Sequence, residues 1–498
     1  MQFWEDDQST DAVMLYLETI GNPRKFSRVA RRLSRRKPVV VVKSGRARSH
    51  PPHGHQVRES IAPAAAIDAL FRGAGVIRVP TIHAMFDVGA LVAHQPLPAG
   101  RRVAIIGNSD ALAVLAFDAC EEAGLEVVDE PRRLGGDADA ADFEVALAEV
   151  FARDDVDSVV ALFIPPPATP HAEVASALAQ AAGSSAKTVV STFLGMRGLP
   201  DALRDSSGDL GSVPSYPTPE DAVRALAAVT DYAGWRATPA GNAVEPSGLD
   251  VRAACDLVAA ALPGLLGAGD DVVELDQDRL RALLACYGIG LWPTLPAVTV
   301  EAAVAAAAGF DYPVALKTTA PHLRHRSELG GVRLNIDDEP ELLGAYAAMA
   351  QRLRPGSAAH FVVQRMAPTG MACVLRTVED PLFGPVVSFG LGGVATELLD
   401  DWSHGIPPLT DSDLHGLVRS VRAAPLLFGH RGSDPVDTAQ LEDLLARVAR
   451  LADDLPEVAL LELNPVIVGS EGTSVLGATA RLARPRARTD RVARALPG

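Results

Sequence analysis

The segment Gly309–Arg333, GFDYPVALKTTAPHLRHRSELGGVR, decides the fold of this chain. An Ala-rich helical run over 300–308 leads into it, and Tyr312-Pro313 ends that helix because proline has no amide donor. Val314-Ala315-Leu316-Lys317 reads as a short buried strand with a cation at its end. A polar loop follows, carrying His322 and His325, and closes on Gly330-Gly331. A strand ending in Lys before a Gly loop suits a polyphosphate, because the ammonium is a point charge and glycine lets the backbone come close. The same segment reads equally as an ordinary strand–loop–strand with Lys317 solvated. Only five of the 46 basic residues are lysine, so a Lys closing an apolar strand stands out in a chain that otherwise uses Arg.

Working outward, the 498 residues are enough for about three domains. A net charge of −16, with no Lys/Arg block dominating a domain, argues against nucleic acid as the main partner. The one basic run, Arg24 to Arg48, reads as the outer face of a helix. Cys120, Cys255, Cys286 and Cys373 are scattered without a C-x-x-C pair, which points to a reducing cytoplasm and no zinc site. No signal peptide or apolar run of transmembrane length is present, so no membrane partner is expected.

Toward the N-terminus, Ala12–Glu18 and Pro38–Lys43 read as strands flanking a helix that opens at Asn22-Pro23, one βαβ unit. Ser44–Glu59 is a loop at the C-terminal end of the second strand, where open α/β sheets bind ligands. Residues 60–94 add a helix, the strand Gly75–Val79 and a further helix, making only part of a doubly wound domain. A Pro/Gly boundary at Gln95–Gly100 opens a second doubly wound domain. There Gly107-Asn108-Ser109-Asp110 turns into a helix, a turn better read as structural than as an anion site because it carries an Asp.

After a linker over 236–250, the third domain contains the opening segment. It continues with strands at Phe361–Gln364, Val374–Val378 and Pro385–Phe389. Gly390, Gly392 and Gly393 read as a flexible turn. Late in the domain, alternation puts Glu462 and Asn464 on one face of the strand Leu460–Pro465. Two oxygen ligands side by side suit Mg²⁺ bound with phosphates, although on these residues alone a strand end capped by Asn-Pro is the better reading.

As a set, these residues resemble the NDP-forming (ADP-forming) acyl-CoA synthetase family, whose nucleotide module is an ATP-grasp domain. The matching segments are Tyr312–Lys317, His325–Val332, Phe383–Gly393, Gly429–Gly432 and Glu462–Pro465, with Leu15–Glu18, Asn22–Arg24, Lys43–Arg46 and Ala69–Val79 in the N-terminal part. The resemblance implies an α/β chain: a partial succinyl-CoA-ligase-like domain over 1–95, a second flavodoxin-like doubly wound domain over 100–238, and an ATP-grasp domain over 250–490. It implies reversible conversion of acyl-CoA, ADP and phosphate to acid, ATP and CoA through a phosphohistidine, with ATP/ADP, Mg²⁺ and CoA as cofactors. Lys317, Gly330 and Gly331 would hold phosphates, Gln364 would lie near the adenine, and Glu462 and Asn464 would face Mg²⁺. Glu18 would orient the phosphohistidine, and His325 matches a histidine that relays phosphate.

The departures from the family are specific. Its Ser-His-Thr-Gly reads Gly54-His55-Gln56-Val57 here, leaving His55 as the candidate phosphohistidine with His50 and His53 nearby. Its second metal carboxylate, in an Asp-Ala-Arg run, is replaced in Thr479-Ala480-Arg481; Ala372 stands for a usual Glu, and His404-Gly405 for an aromatic-Arg pair. The CoA-binding domain and the first half of the next have no counterpart, so a truncated or degenerate member is expected. It would either work with a separate CoA-binding chain or serve as a non-catalytic nucleotide/acyl-CoA sensor regulating an acetyltransferase.

Overall fold

A computed structural model describes residues 1–18, 20, 23–43, 64–166, 171–204, 211–265, 272–320, 323, 330–352, 361–381, 383–393, 399–432 and 434–484. Its contacts divide the chain near Pro239–Ala240 into two compact units.

The first unit holds two parallel sheets. Strands β1 (Val13–Leu17), β2 (Val39–Lys43) and β3 (Ile77–Val79) pair in that order. Four successive valines make β2, and all four are buried, as β-branched residues covered on both faces of a parallel strand should be. The second sheet contains β4 (Arg102–Gly107), β5 (Glu126–Val127), β6 (Arg132–Arg133), β7 (Ser158–Phe163) and β8 (Thr188–Phe193), in the order β5-β4-β7-β8 with β6 also on β4. Val40, Ile77, Val103, Ile105, Val160 and Val190 belong to one core shared by both sheets. The turn after β4 is consumed internally. Asn108 donates to the Ile164 carbonyl at 2.9 Å and accepts from its amide at 2.8 Å, and Ser109 caps the helix Asp110–Glu122.

The second unit is antiparallel. Its strands are β9 (Val272–Glu274), β10 (Thr294–Ala297), β11 (Val314–Thr318), β12 (Val332–Ile336), β13 (Phe361–Arg365), β14 (Met371–Asp380), β15 (Gly384–Leu391), β16 (Ser403–Gly405), β17 (Val458–Gly469), β18 (Gly472–Val475) and β19 (Ala478–Ala483). They form a four-stranded sheet, β10-β13-β11-β12, and a seven-stranded sheet, β16-β15-β14-β17-β19-β9 with β18 beside β17. The helix Thr438–Asp454, capped by the Asp437 side chain on the Gln440 amide at 3.0 Å, buries Leu441, Leu445, Val448 and Leu451. These pack in one core with Leu375, Val387, Phe389 and Leu463 of the larger sheet. Each such buried side chain stabilises the unit by about 1.5–3 kcal/mol.

Two expectations are corrected here. Gly390 is not in a turn: it is a buried residue of β15, and a Cβ there would lie 3.1 Å from the Trp402 ring. Nor does the strand carrying Glu462 end at Asn464-Pro465. It runs for twelve residues in all, from Val458 to Gly469, because β14 and β18 both pair with it from Val466 onward. Among the described residues no helix is long and apolar enough to cross a membrane.

Candidate functional site

The site forms where the four-stranded sheet meets the β18–β19 end of the larger sheet. A cavity of about 410 Å³ opens there, lined among others by Lys317, Thr318, Gln364, Thr294, Trp292 and Ala478. Lys317 sits one residue from the end of β11, between β13 and β12, with Val362 and Val332 as cross-strand neighbours. The rest of β11 is buried, and burial pushes the amine down to about 8. A desolvated ammonium is short of solvation that an anion would restore.

The Lys317 ammonium donates to the Gln364 side-chain carbonyl. Gln364 is itself buried, and its amide nitrogen donates to Thr294 Oγ1 at 2.7 Å and to the Leu476 carbonyl at 3.0 Å. Both amide hydrogens are thereby used, which leaves a ligand only the remaining lone pair of the oxygen. The glutamine thus locks the lysine in place and ties β13 to the loop after β18.

Gly330 and Gly331 each have a structural reason to be glycine. Gly330 has φ of 75°, and a Cβ on Gly331 would fall 1.9 Å from the Leu323 carbonyl oxygen. The Gly331 carbonyl accepts from the Thr318 amide at 3.0 Å, which fixes the end of β11 beside Lys317.

Glu462 and Asn464 do share a face of β17: Asn464 Nδ2 donates to Glu462 Oε1 at 3.1 Å. Arg376 on β14 lies opposite, 3.8 Å from Glu462 Oε2, and Thr479 is the partner of Glu462 on β19. The Asn464 amide donates to the carbonyl of Gly477, a residue of the Lys317 cavity wall, so the pair borders that cavity. One carboxylate and one amide oxygen fit a Mg²⁺ that keeps water and takes its other ligands from phosphates. They do not make a free-standing metal cage. Among the described residues no cluster of three or more His, Cys, Asp or Glu is poised for a metal.

Glu18 stands exposed just past β1, where its carbonyl accepts from Lys43 Nζ at 2.8 Å. Partial burial first, then the nearby Arg78 charge, lowers the Lys43 amine. His55 and His325, like His50, His53 and His322, lie outside the described residues. Sequence reasoning missed Thr294, Leu476 and Arg376, since nothing local marks a threonine or a backbone carbonyl as the anchor of a distant glutamine.

A cleft between two antiparallel sheets, with a lysine reaching into it, defines the ATP-grasp class, and residues 268–482 match the family model described as an ATP-grasp domain. Residues 1–92 match the model described as a succinyl-CoA ligase like flavodoxin domain. The acetate–CoA ligase [ADP-forming] I of Archaeoglobus fulgidus is 32% identical over 502 residues, covering 96% of this chain and 70% of that protein. This chain belongs to the family of ADP-forming acyl-CoA ligases. In Pyrococcus furiosus the corresponding parts are separate chains. The acetate–CoA ligase [ADP-forming] I subunit beta is 34% identical across 39% of this chain and 84% of its own length. Subunit alpha is 29% identical across 48% of this chain and 56% of its own length.

Proposed function

We propose that the chain carries the nucleotide half of a reversible acid–CoA ligase, in which acyl-CoA, ADP and phosphate give acid, ATP and CoA through a phosphohistidine. The observation that carries this reading is the desolvated Lys317 held by Gln364 in the cleft. Phosphoryl transfer asks a protein mainly for positioning and charge neutralisation, and a pre-oriented ammonium supplies both. Lys317 binds nucleotide phosphates, with the Gly330-Gly331 turn holding its strand. Glu462 and Asn464 hold Mg²⁺, which neutralises phosphate charge when bound. In this reading His55 is the phosphorylated residue, Glu18 orients it, and His325 relays the phosphoryl group.

The division into modules over residues 1–95, 100–238 and 250–490 follows the same reading, and so does a separately encoded CoA-binding partner. All four cysteines are free.

Titration calorimetry with ADP and Mg²⁺ tests the cleft. Lys317→Met is expected to weaken ADP binding about tenfold or more, as loss of a charge-assisted contact does. Unchanged affinity would remove the reading. Incubation with gamma-labelled ATP is expected to leave acid-labile phosphate on the protein, and His55→Ala to abolish it.

A further inference from the structure

A second recess opens on the face of the seven-stranded sheet that carries Arg376, Leu460 and Arg481. It measures about 400 Å³, and its walls come from β14, β15, β17, β19 and the residues around β16. We propose that it binds a small organic acid, the carboxylate held by Arg376 and Arg481 and the apolar body lying on Leu460 against Trp402. No assigned role covers this recess, and the inference does not depend on the nucleotide reading of Lys317.

The arrangement follows from strand register. Leu460 on β17 faces Val378 on β14 and Arg481 on β19, so it forms an apolar floor between the strands that carry the two arginines. β17 separates the two strands, so they lie two strand spacings, about 10 Å, apart, a span that two guanidinium groups on long stems can close on one carboxylate. Arg376 keeps donors in hand. Its contact with Glu462 is 3.8 Å, longer than a hydrogen bond, and a guanidinium has five N–H groups. Arg481 is exposed, and although Glu274 is its partner on β9, it forms no ion pair among the described residues. Among the described residues that line the recess, two arginines face a single acid, Asp400, a balance that favours an anion.

The opposite wall is built rigidly. The buried Ser388 hydroxyl lies 2.8 Å from His404 Nδ1 and fixes that ring on β16. Trp402 lies over Gly390, where a Cβ would come within 3.1 Å of the indole. A half-buried indole and an aliphatic floor beside two cations suit an acid with an apolar body better than a bare inorganic anion.

The test is titration of the full chain with benzoate, followed by saturation-transfer NMR and by Trp fluorescence. Benzoate is expected to bind, and Arg481→Met to weaken it about tenfold, as loss of one charge-assisted contact does, while ADP affinity stays within about twofold. The fluorescence change is expected to vanish in Trp402→Phe. Lys317→Met is expected to leave benzoate binding untouched, which separates this site from the nucleotide cleft. The proposal falls if benzoate does not bind, or binds Arg481→Met equally well. It falls too if ADP displaces benzoate, or if inorganic phosphate competes as strongly as benzoate does.

Discussion

Lys317 concentrates the conflict between stability and function. Its amine titrates near 8 in the folded chain because burial disfavours the charged form, against about 10.4 for an unfolded lysine. Between those values the unfolded state holds more protons, so this residue makes stability rise with pH across that window. Below about pH 8 the full penalty is present, and above about pH 10.5 it is gone. Lys317→Met is therefore expected to stabilise the ligand-free protein at pH 7, with the gain shrinking to nothing by pH 10.5. Urea unfolding of both proteins at the two pH values checks this, and a constant difference would contradict it. The neighbouring Gly331 sets a different constraint. A Cβ there would meet the Leu323 carbonyl at 1.9 Å, a backbone atom that cannot swing aside. Gly331→Ala is expected to lower stability by about 1–3 kcal/mol, read as a lower urea midpoint at unchanged slope.

At the scale of elements, the long strand β17 and the helix Thr438–Asp454 carry the second unit. One face of β17 presents Leu461, Leu463 and Val466 to the core, and the other presents Glu462 and Asn464 to the cleft. The shared face of Glu462 and Asn464 was legible in the sequence, because strand alternation has a period of two; the return of Val466 to the core face was not, because it depends on a shift in the pairing with β14. The length of the strand was not legible. Asn-Pro reads as a stop, and pairing with β14 on one side and β18 on the other keeps the chain extended beyond it. Leu445 of the helix is fully buried against this sheet. Leu445→Ala is expected to cost about 2–5 kcal/mol, measured by chemical denaturation, and to reduce ADP binding only where the unit begins to unfold.

At the scale of the molecule, the chain is two compact units, and the nucleotide cleft lies wholly within the second. A ligand bound only by the native state stabilises what it binds, by about 2.7 kcal/mol at a hundredfold excess over its Kd. In scanning calorimetry, Mg-ADP is expected to move the transition of residues 240–498 upward and leave that of the first unit in place. The β-branched runs and the chemistry of Gly309–Arg333 were enough to place the parallel strands of the first unit and to single out Lys317, because these depend on neighbours in sequence. What holds Lys317 depended on the tertiary structure: Gln364 comes from 47 residues away, and it is anchored in turn by Thr294, 70 residues from it, and by the Leu476 carbonyl, 112 residues from it. The grouping of Arg376, Leu460 and Arg481 was equally invisible, since it depends on which antiparallel strands become neighbours and in what register. Local periodicity says which face of a strand is buried, but not which distant strand will lie beside it.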